Sequence, residues 1–228
     1  MIHIKIPEFR YSDNTILRNI QLDLEEGKAY GIVGLNGAGK TTFFRLLSGF
    51  LKADGMSILR DNQIIPKKTI AYIDSEIFFY PKLTAGEFLS VFKPGSGHYN
   101  EKALSEIFGL PLDKLIDEFS TGMKKKLLLI SQIKQNKDIY ILDEPFNGLD
   151  LETNKLLEVI VRILTQRGKT VFISSHILDP LIHVCEQIHF LKDQRVFRSY
   201  SKNEFPSIAE DLFGNYVREL EGRLPGII

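Results

Sequence analysis

Apolar and polar positions alternate over residues 1–6 and 16–24, the two-residue period of strands, and 28–33 is a shorter, more continuously apolar strand pattern. Three glycines interrupt within 34–40, and 41–47 then reads as a helix, so the order is strand, glycine loop, helix. Residues 55–65 predict a further β ribbon turning at Asp61-Asn62. From about Thr84 to Asn136 the character changes. Helical patterns over 87–92, Glu101–Phe108 and 123–135 are separated by Pro94-Gly95, Gly97 and Gly109-Leu110-Pro111. Because strand signals resume afterwards, 84–136 reads as a helical insertion. Ile139–Leu142 and 170–173 are short apolar runs on either side of a helix pattern over 152–164, spacing that implies a parallel sheet covered by helices. Residues 188–191 and 195–198 predict a closing pair of strands, and the tail, 204–228, reads as helical. The chain is read as one domain over 1–228, without internal repeats or low-complexity segments.

Composition narrows the class. The 228 residues are 43% apolar and 25% charged, ordinary for a soluble globular protein, and long enough for one substantial domain. Lysine plus arginine equals aspartate plus glutamate at 29 each, which weighs against a sequence-independent nucleic-acid binder. Cys185 is the single cysteine; it cannot form an internal disulfide, which fits a reducing cytoplasm, and it reads as a packing residue. Residues 1–9 lack the apolar core and cleavage site of a signal peptide, and no apolar run approaches the roughly 20 residues that span a bilayer. Any role at a membrane is therefore expected to run through a partner.

The glycine loop carries the strongest chemistry. Gly34-Leu35-Asn36-Gly37-Ala38-Gly39-Lys40-Thr41 matches G-x-x-x-x-G-K-[ST]. Glycines let the backbone curl so that successive amides point at phosphate oxygens, and the following helix N-terminus adds positive potential. Lys40 is expected between β- and γ-phosphates, and the Thr41 hydroxyl on Mg²⁺. At a glycine frequency of about 7%, a chain of this length matches by chance on the order of once in a hundred, and placement between a strand and a helix lowers that further.

Two more strands end in polar side chains. Ile139-Tyr140-Ile141-Leu142 delivers Asp143 and Glu144 at its carboxyl end, where ligands gather in open parallel sheets. With strands about 4.8 Å apart, Asp143 is expected to approach the metal and Glu144 to serve as general base for the attacking water. Val171-Phe172-Ile173-Ser174-Ser175 delivers His176, placed to bond a γ-phosphate oxygen or the catalytic water.

In this order the motifs resemble the ATP-binding cassette family over essentially the whole chain. The glycine loop looks like its Walker A motif, Asp143-Glu144-Pro145 like the end of Walker B, Gly148-Leu149-Asp150 like the D-loop and His176 like the switch histidine. Phe119-Ser120-Thr121-Gly122-Met123 falls where the signature L-S-G-G-Q belongs, and Tyr11 matches the aromatic residue that stacks on adenine. The resemblance implies an α/β fold, a P-loop NTPase cassette with a mixed β core, an N-terminal antiparallel β subdomain and an inserted α-helical subdomain. It implies ATP and Mg²⁺ as ligands, with Gly34, Asn36, Gly37, Ala38, Gly39, Lys40, Thr41 and Thr42 around the phosphates. It also implies two cassettes paired head to tail, as a homodimer or with another cassette. Ser120 and the Gly122 amide then complete the partner's γ-phosphate site, and Asp150 communicates across the interface.

Two departures stand out. The signature reads S-T-G-M rather than S-G-G-Q, retaining Ser120 and Gly122. Anchored on Ile70-Ala71-Tyr72 and Tyr80-Pro81, the family's metal-reaching Q-loop glutamine falls at Ser75, between Asp74 and Glu76. A serine hydroxyl is shorter than a glutamine amide by roughly 2.5 Å, so Ser75 reaches a metal only if the loop moves, and adjacency makes Glu76 the substitute.

What the ATPase drives is read from the resemblance. Single-cassette chains without membrane spans commonly serve separate permeases, which implies a cytoplasmic protein held peripherally at the inner membrane face. The S-T-G-M-K-K form is similar to cassettes of small exporters. A soluble cassette acting in cofactor assembly or on a macromolecular complex is the alternative. Ile77-Phe78-Phe79-Tyr80-Pro81 reads either as a docking patch for a permease or as core under the insertion. Lys124-Lys125-Lys126 reads either as a basic patch or as a solvated helix face.

Overall fold

The computed structural model describes residues 1–76, 78–97 and 99–224, without the side chains of 215–217, 219 and 222. Among the described residues, ten strands and seven α-helices make a mixed α/β arrangement. β1 (Ile2–Tyr11), β2 (Asn14–Leu24), β4 (Ser57–Arg60) and β5 (Gln63–Ile64) form an antiparallel sheet in the order β2-β1-β4-β5. The second sheet joins β3 (Ala29–Val33), β6 (Ile70–Ile73), β7 (Ile139–Leu142), β8 (Thr170–Ser175), β9 (Gln187–Lys192) and β10 (Arg195–Ser201) in the order β10-β9-β3-β8-β7-β6. Only the β9–β10 pairing is antiparallel in that sheet.

The central strands are buried on both faces, which explains why they read as continuous apolar runs. Tyr30 and Ile32, Ile139 and Ile141, and Phe172 face one core with the antiparallel sheet and α1 (Lys40–Leu47). Phe43 and Phe44 of α1 are buried there, worth about 1.5–3 kcal/mol each. Ala29 and Val33, Tyr140 and Leu142, and Val171 and Ile173 face the other core. That core is covered by α2 (Ala85–Ser90), α3 (Glu101–Phe108), α4 (Thr121–Lys134), α5 (Leu151–Gln166) and α6 (Asp179–Val184).

Several boundaries differ from expectation for local reasons. β1 runs on through Pro7 because β4 pairs only with Ile2–Lys5, so Pro7 owes that side no amide; opposite it Asn19 takes a left-handed φ of 50°. α2 starts two residues early: Thr84 and Glu87 form a capping box, a T-x-x-E signal present in the sequence. α4 likewise begins at Thr121, because Ser120 Oγ accepts from the Met123 amide. The tail opens with a 3₁₀ turn over Lys202–Ser207 before α7 (Ile208–Arg223). Residues 225–228 of the expected helical tail lie outside the described residues.

The aromatic segment after β6 divides between its two readings. Phe79 packs on Phe88 with centroids 4.9 Å apart, against the core. Phe78 and Tyr80 are exposed, ring against ring at 5.6 Å. Ile77 lies outside the described residues.

Candidate active site

The carboxyl ends of β3, β6, β7 and β8 converge on one edge of the sheet. Past β3 the chain curls through the glycine loop into α1. Side chains are excluded there by close approach: a Cβ on Gly34 would lie 2.6 Å from the Leu191 carbonyl oxygen. Gly39 has φ 97°, and a Cβ on it would meet Leu17 at 2.9 Å, so the start of β2 lies against the loop. Asn36, Gly37, Ala38, Gly39, Lys40, Thr41 and Thr42 line one open concavity together with Ile16 and Glu144. Lys40 Nζ donates to the Gly34 carbonyl at 2.9 Å and lies 3.5 Å from Glu144 Oε1.

β7 is not adjacent to β3; β8 lies between them, which puts the two strands about 10 Å apart. The expectation of direct neighbourhood is corrected on this point, and Ser174 of β8 fills the gap. Ser174 is fully buried; its hydroxyl donates to Asp143 Oδ1 and accepts the Glu144 backbone N–H at 2.8 Å. Sequence reasoning passed over Ser174 because it followed the strand to His176, although the alternation of β8 already turns Ser174 and Phe172 to the same face.

Asp143 is buried, and its Oδ2 has no hydrogen-bond partner. Burial pushes its carboxyl pKa up, against hydrogen bonding from Ser174 and Thr41, and the nearby Asp74 and Glu144 charges push the same way as burial. A buried acceptor left open beside Thr41 is a fit for a hard cation. Among the described residues no cluster of three or more His, Cys, Asp or Glu side chains is placed to hold a metal alone. Phosphate and water oxygens supply most ligands to Mg²⁺ in such sites.

Glu144 has a left-handed φ of 49°, a conformation worth about 1–3 kcal/mol of strain in a non-glycine residue and one that collects at functional sites. Its carboxylate Oε2 meets His176 Nδ1 at 2.8 Å, and the His176 amide approaches the same oxygen at 3.4 Å. Its carbonyl accepts from Lys125 Nζ at 3.1 Å. Neither sequence reading of the lysine run covers Lys125, whose ammonium burial holds below its usual pKa against the pull of Glu144.

The remaining expected residues stand apart from the phosphate loop. Ser120 is exposed at the α4 N-terminus, and a Cβ on Gly122 would meet Leu149 at 3.8 Å. Asp150 caps α5, accepting the Thr153 amide at 2.7 Å, which lowers its pKa. Tyr11 is exposed at the β1–β2 hairpin, its ring edge-on to Phe9 at 4.9 Å, and does not line the concavity. Ser75 Oγ lies 3.4 Å from Asp74 Oδ1. Asp74 is in turn held by Arg45 at 3.1 and 3.3 Å, and Arg45 also reaches the exposed Glu76 at 3.3 Å.

A glycine loop running into a helix, a buried carboxylate with one open oxygen and a second carboxylate on a histidine fit an ATP-hydrolysing P-loop cassette. The family model described as ABC transporter matches residues 17–147, and the chain belongs to that family. It is 32% identical over 206 residues to the uncharacterized ABC transporter ATP-binding protein YcbN of Bacillus subtilis, covering 85% of this chain and 67% of YcbN. It is 28% identical over 212 residues to the SkfA peptide export ATP-binding protein SkfE of the same organism, covering 88% and 89%. Its fold is similar to the dimeric post-hydrolysis state of the ATP-binding cassette MJ0796 bound to ADP and Pi, with a TM-score of 0.76 and 21% identity over 89% of this chain and 99% of that one. Among the described residues no helix is long and apolar enough to cross a membrane.

Proposed function

We propose that this chain is the MgATP-hydrolysing subunit of a transporter, energising a separately encoded membrane permease through ATP-driven closure of a cassette dimer. The Glu144 carboxylate held on His176 Nδ1 above the phosphate loop carries the hydrolytic part of this reading. Glu144 accepts a proton from the attacking water, and His176 aims the carboxylate and steadies the charge that builds on the γ-phosphate. Lys40, within 3.5 Å of Glu144, transfers its attraction to the incoming phosphates and releases the base. Thr41 and the open Asp143 Oδ2 would hold Mg²⁺, which would supply Lewis-acid polarisation of the phosphoryl group. Ser75 remains the position expected to reach that metal, but its contact with Asp74 favours a lesser part.

Ser120 is exposed and Gly122 half-buried in the single chain, which favours a second cassette, a copy of this chain or a homologue, as the group that covers them. Asp150 lies at the same edge as the cap of α5, and Tyr11 is left exposed for an adenine ring. The exposed Phe78–Tyr80 pair is the docking surface offered to a permease at the inner face of the membrane. Export follows from the S-T-G-M-K-K signature and from a relative named for peptide export. Nucleic acid has no part in this reading, given the balanced charge.

Affinity purification of tagged Glu144→Gln protein from detergent-solubilised native membranes, with ATP present, tests the proposal. Recovery of a polytopic membrane protein supports transport. Recovery of soluble partners alone, with the protein in the cytosol, ends the transporter reading and leaves the ATPase.

A further inference from the structure

The backbone of Glu144 is gripped on both sides by groups from different elements. On its amino side, the N–H donates to Ser174 Oγ of β8 at 2.8 Å. On its carboxyl side, the carbonyl accepts from Lys125 Nζ of α4 at 3.1 Å, and the same ammonium makes a short hydrogen bond to the Asn147 carbonyl. Glu144 and Asn147 are the two ends of one turn, closed by the Asn147 amide on the Glu144 carbonyl at 3.3 Å. One cation therefore clasps both ends of the turn that points the carboxylate. The residue it clasps is held at φ 49°, where a side chain's direction depends on the surroundings keeping the backbone in place.

The other end of the connection matters as much. Lys125 stands one turn into α4, the helix that Ser120 caps and that carries Gly122 in its first turn. β8 belongs to the sheet, whereas α4 belongs to the helical layer, so Lys125 is a direct tether between that layer and the base. A long ammonium side chain held half-buried on two carbonyls, with no carboxylate oxygen among the described residues taking it, is a geometric fastener rather than a surface charge. It differs in this from Lys134 of the same helix, which pairs with Glu101 at 2.6 Å.

We propose that Lys125 is a positioning residue: it holds the Glu144 turn in its reactive orientation and ties that orientation to the position of α4. The proposal rests on Glu144 being the base and on cassette pairing that places Ser120 at the partner's nucleotide. Docking of α4 on one nucleotide then sets the aim of the base at the other, because Lys125 bonds α4 to the Glu144 turn. Lys125→Met removes both bonds while keeping the apolar stem, and Lys125→Arg keeps donors on a similar stem.

The test measures steady-state ATP hydrolysis against ATP concentration, equilibrium ATP affinity and the Hill coefficient for wild type, Lys125→Met, Lys125→Arg and Glu144→Gln. A misaimed base costs on the order of 10²-fold in rate. The expected result is that loss in kcat for Lys125→Met, with KM and ATP affinity within about twofold of wild type. Its Hill coefficient falls towards one, and Lys125→Arg regains most of the rate. Unchanged kcat in Lys125→Met, or equal loss of kcat and ATP affinity with no rescue by arginine, overturns it. Should Lys125→Met not fold, Lys125→Gln replaces it and is read by the same split. If Glu144→Gln hydrolyses at the wild-type rate, the assigned base fails first; if it does not and Lys125→Met does, only the role of Lys125 fails.

Discussion

The two sides of this site are built differently. On the sheet side, Asp143 and Ser174 are 1% and 0% exposed, Lys40 is 7% exposed, and each is held by neighbours within the chain. On the α4 side, Ser120 and Thr121 are exposed, and the Ser120 hydroxyl is engaged only in capping its own helix. The sheet side is a finished geometry, preorganised before nucleotide arrives, because strands buried on both faces leave their terminal side chains little freedom. The α4 side is half of a geometry. Its polar groups gain a low-dielectric environment only when another surface covers them. Lys125 bonds from the second region to the carbonyl of Glu144, the proposed base of the first.

Substitutions should separate the two regions by size of effect. Glu144→Gln is expected to bind ATP yet lose about 10²–10⁴ in kcat, the size of a general-base contribution, which is roughly 3–5 kcal/mol of barrier. Near wild-type turnover would break the assignment of the sheet side. Ser174→Ala removes the partner of the buried Asp143 Oδ1 and of the Glu144 amide; leaving such groups unsatisfied costs about 1–3 kcal/mol each. Denaturant unfolding should show that loss, together with a lower kcat. A loss in neither would mean that water replaces the hydroxyl and that the side is less preorganised than its burial implies.

Ser120→Ala belongs to the other region. Losing an N-cap is worth about 1 kcal/mol of stability, while ATP-dependent dimerisation measured by gel filtration should weaken beyond that small fold effect. Dimerisation at the wild-type level would remove Ser120 from the interface. Phe78→Asp or Tyr80→Asp, both at exposed rings, should leave stability within about 0.5 kcal/mol and reduce copurification with a permease. Phe79→Asp is a poorer probe, since Phe79 packs on Phe88 and its loss would disturb the core. The smallest effect is expected from Ser75→Ala, within about 0.5 kcal/mol in Mg²⁺-dependent turnover. A larger loss would show that Ser75 leaves Asp74 for the metal.

Much of this was legible in the chain. The glycine loop is a contiguous motif whose mechanics depend on neighbouring residues, so spacing alone located Gly34, Lys40 and Thr41. β7 and α3 matched their expected limits, because a four-residue apolar run and an Asn100 cap ending at Gly109 are local signals. The capping box of α2 is equally local: Thr84 and Glu87 read as a pair put the start of that helix at Ala85.

Other features were decided by assembly. Sequence order says nothing about which strand lies beside which, so the insertion of β8 between β3 and β7, and with it the bridging role of Ser174, appeared only in the sheet. The aromatic run split into Phe79 inward and Phe78 with Tyr80 outward because packing around α2 selects among rings that composition treats alike. The lysine run illustrates the same limit: side-chain type and helical period cannot distinguish a solvated lysine from one whose stem is half-buried over a distant turn. The sequence by itself determined the phosphate loop, the two carboxylates and the histidine, because each is a short motif at the end of a strand. Only the tertiary structure decided what holds them, because Ser174, Lys125 and Arg45 act across 19 to 31 residues of chain, through contacts made by packing alone.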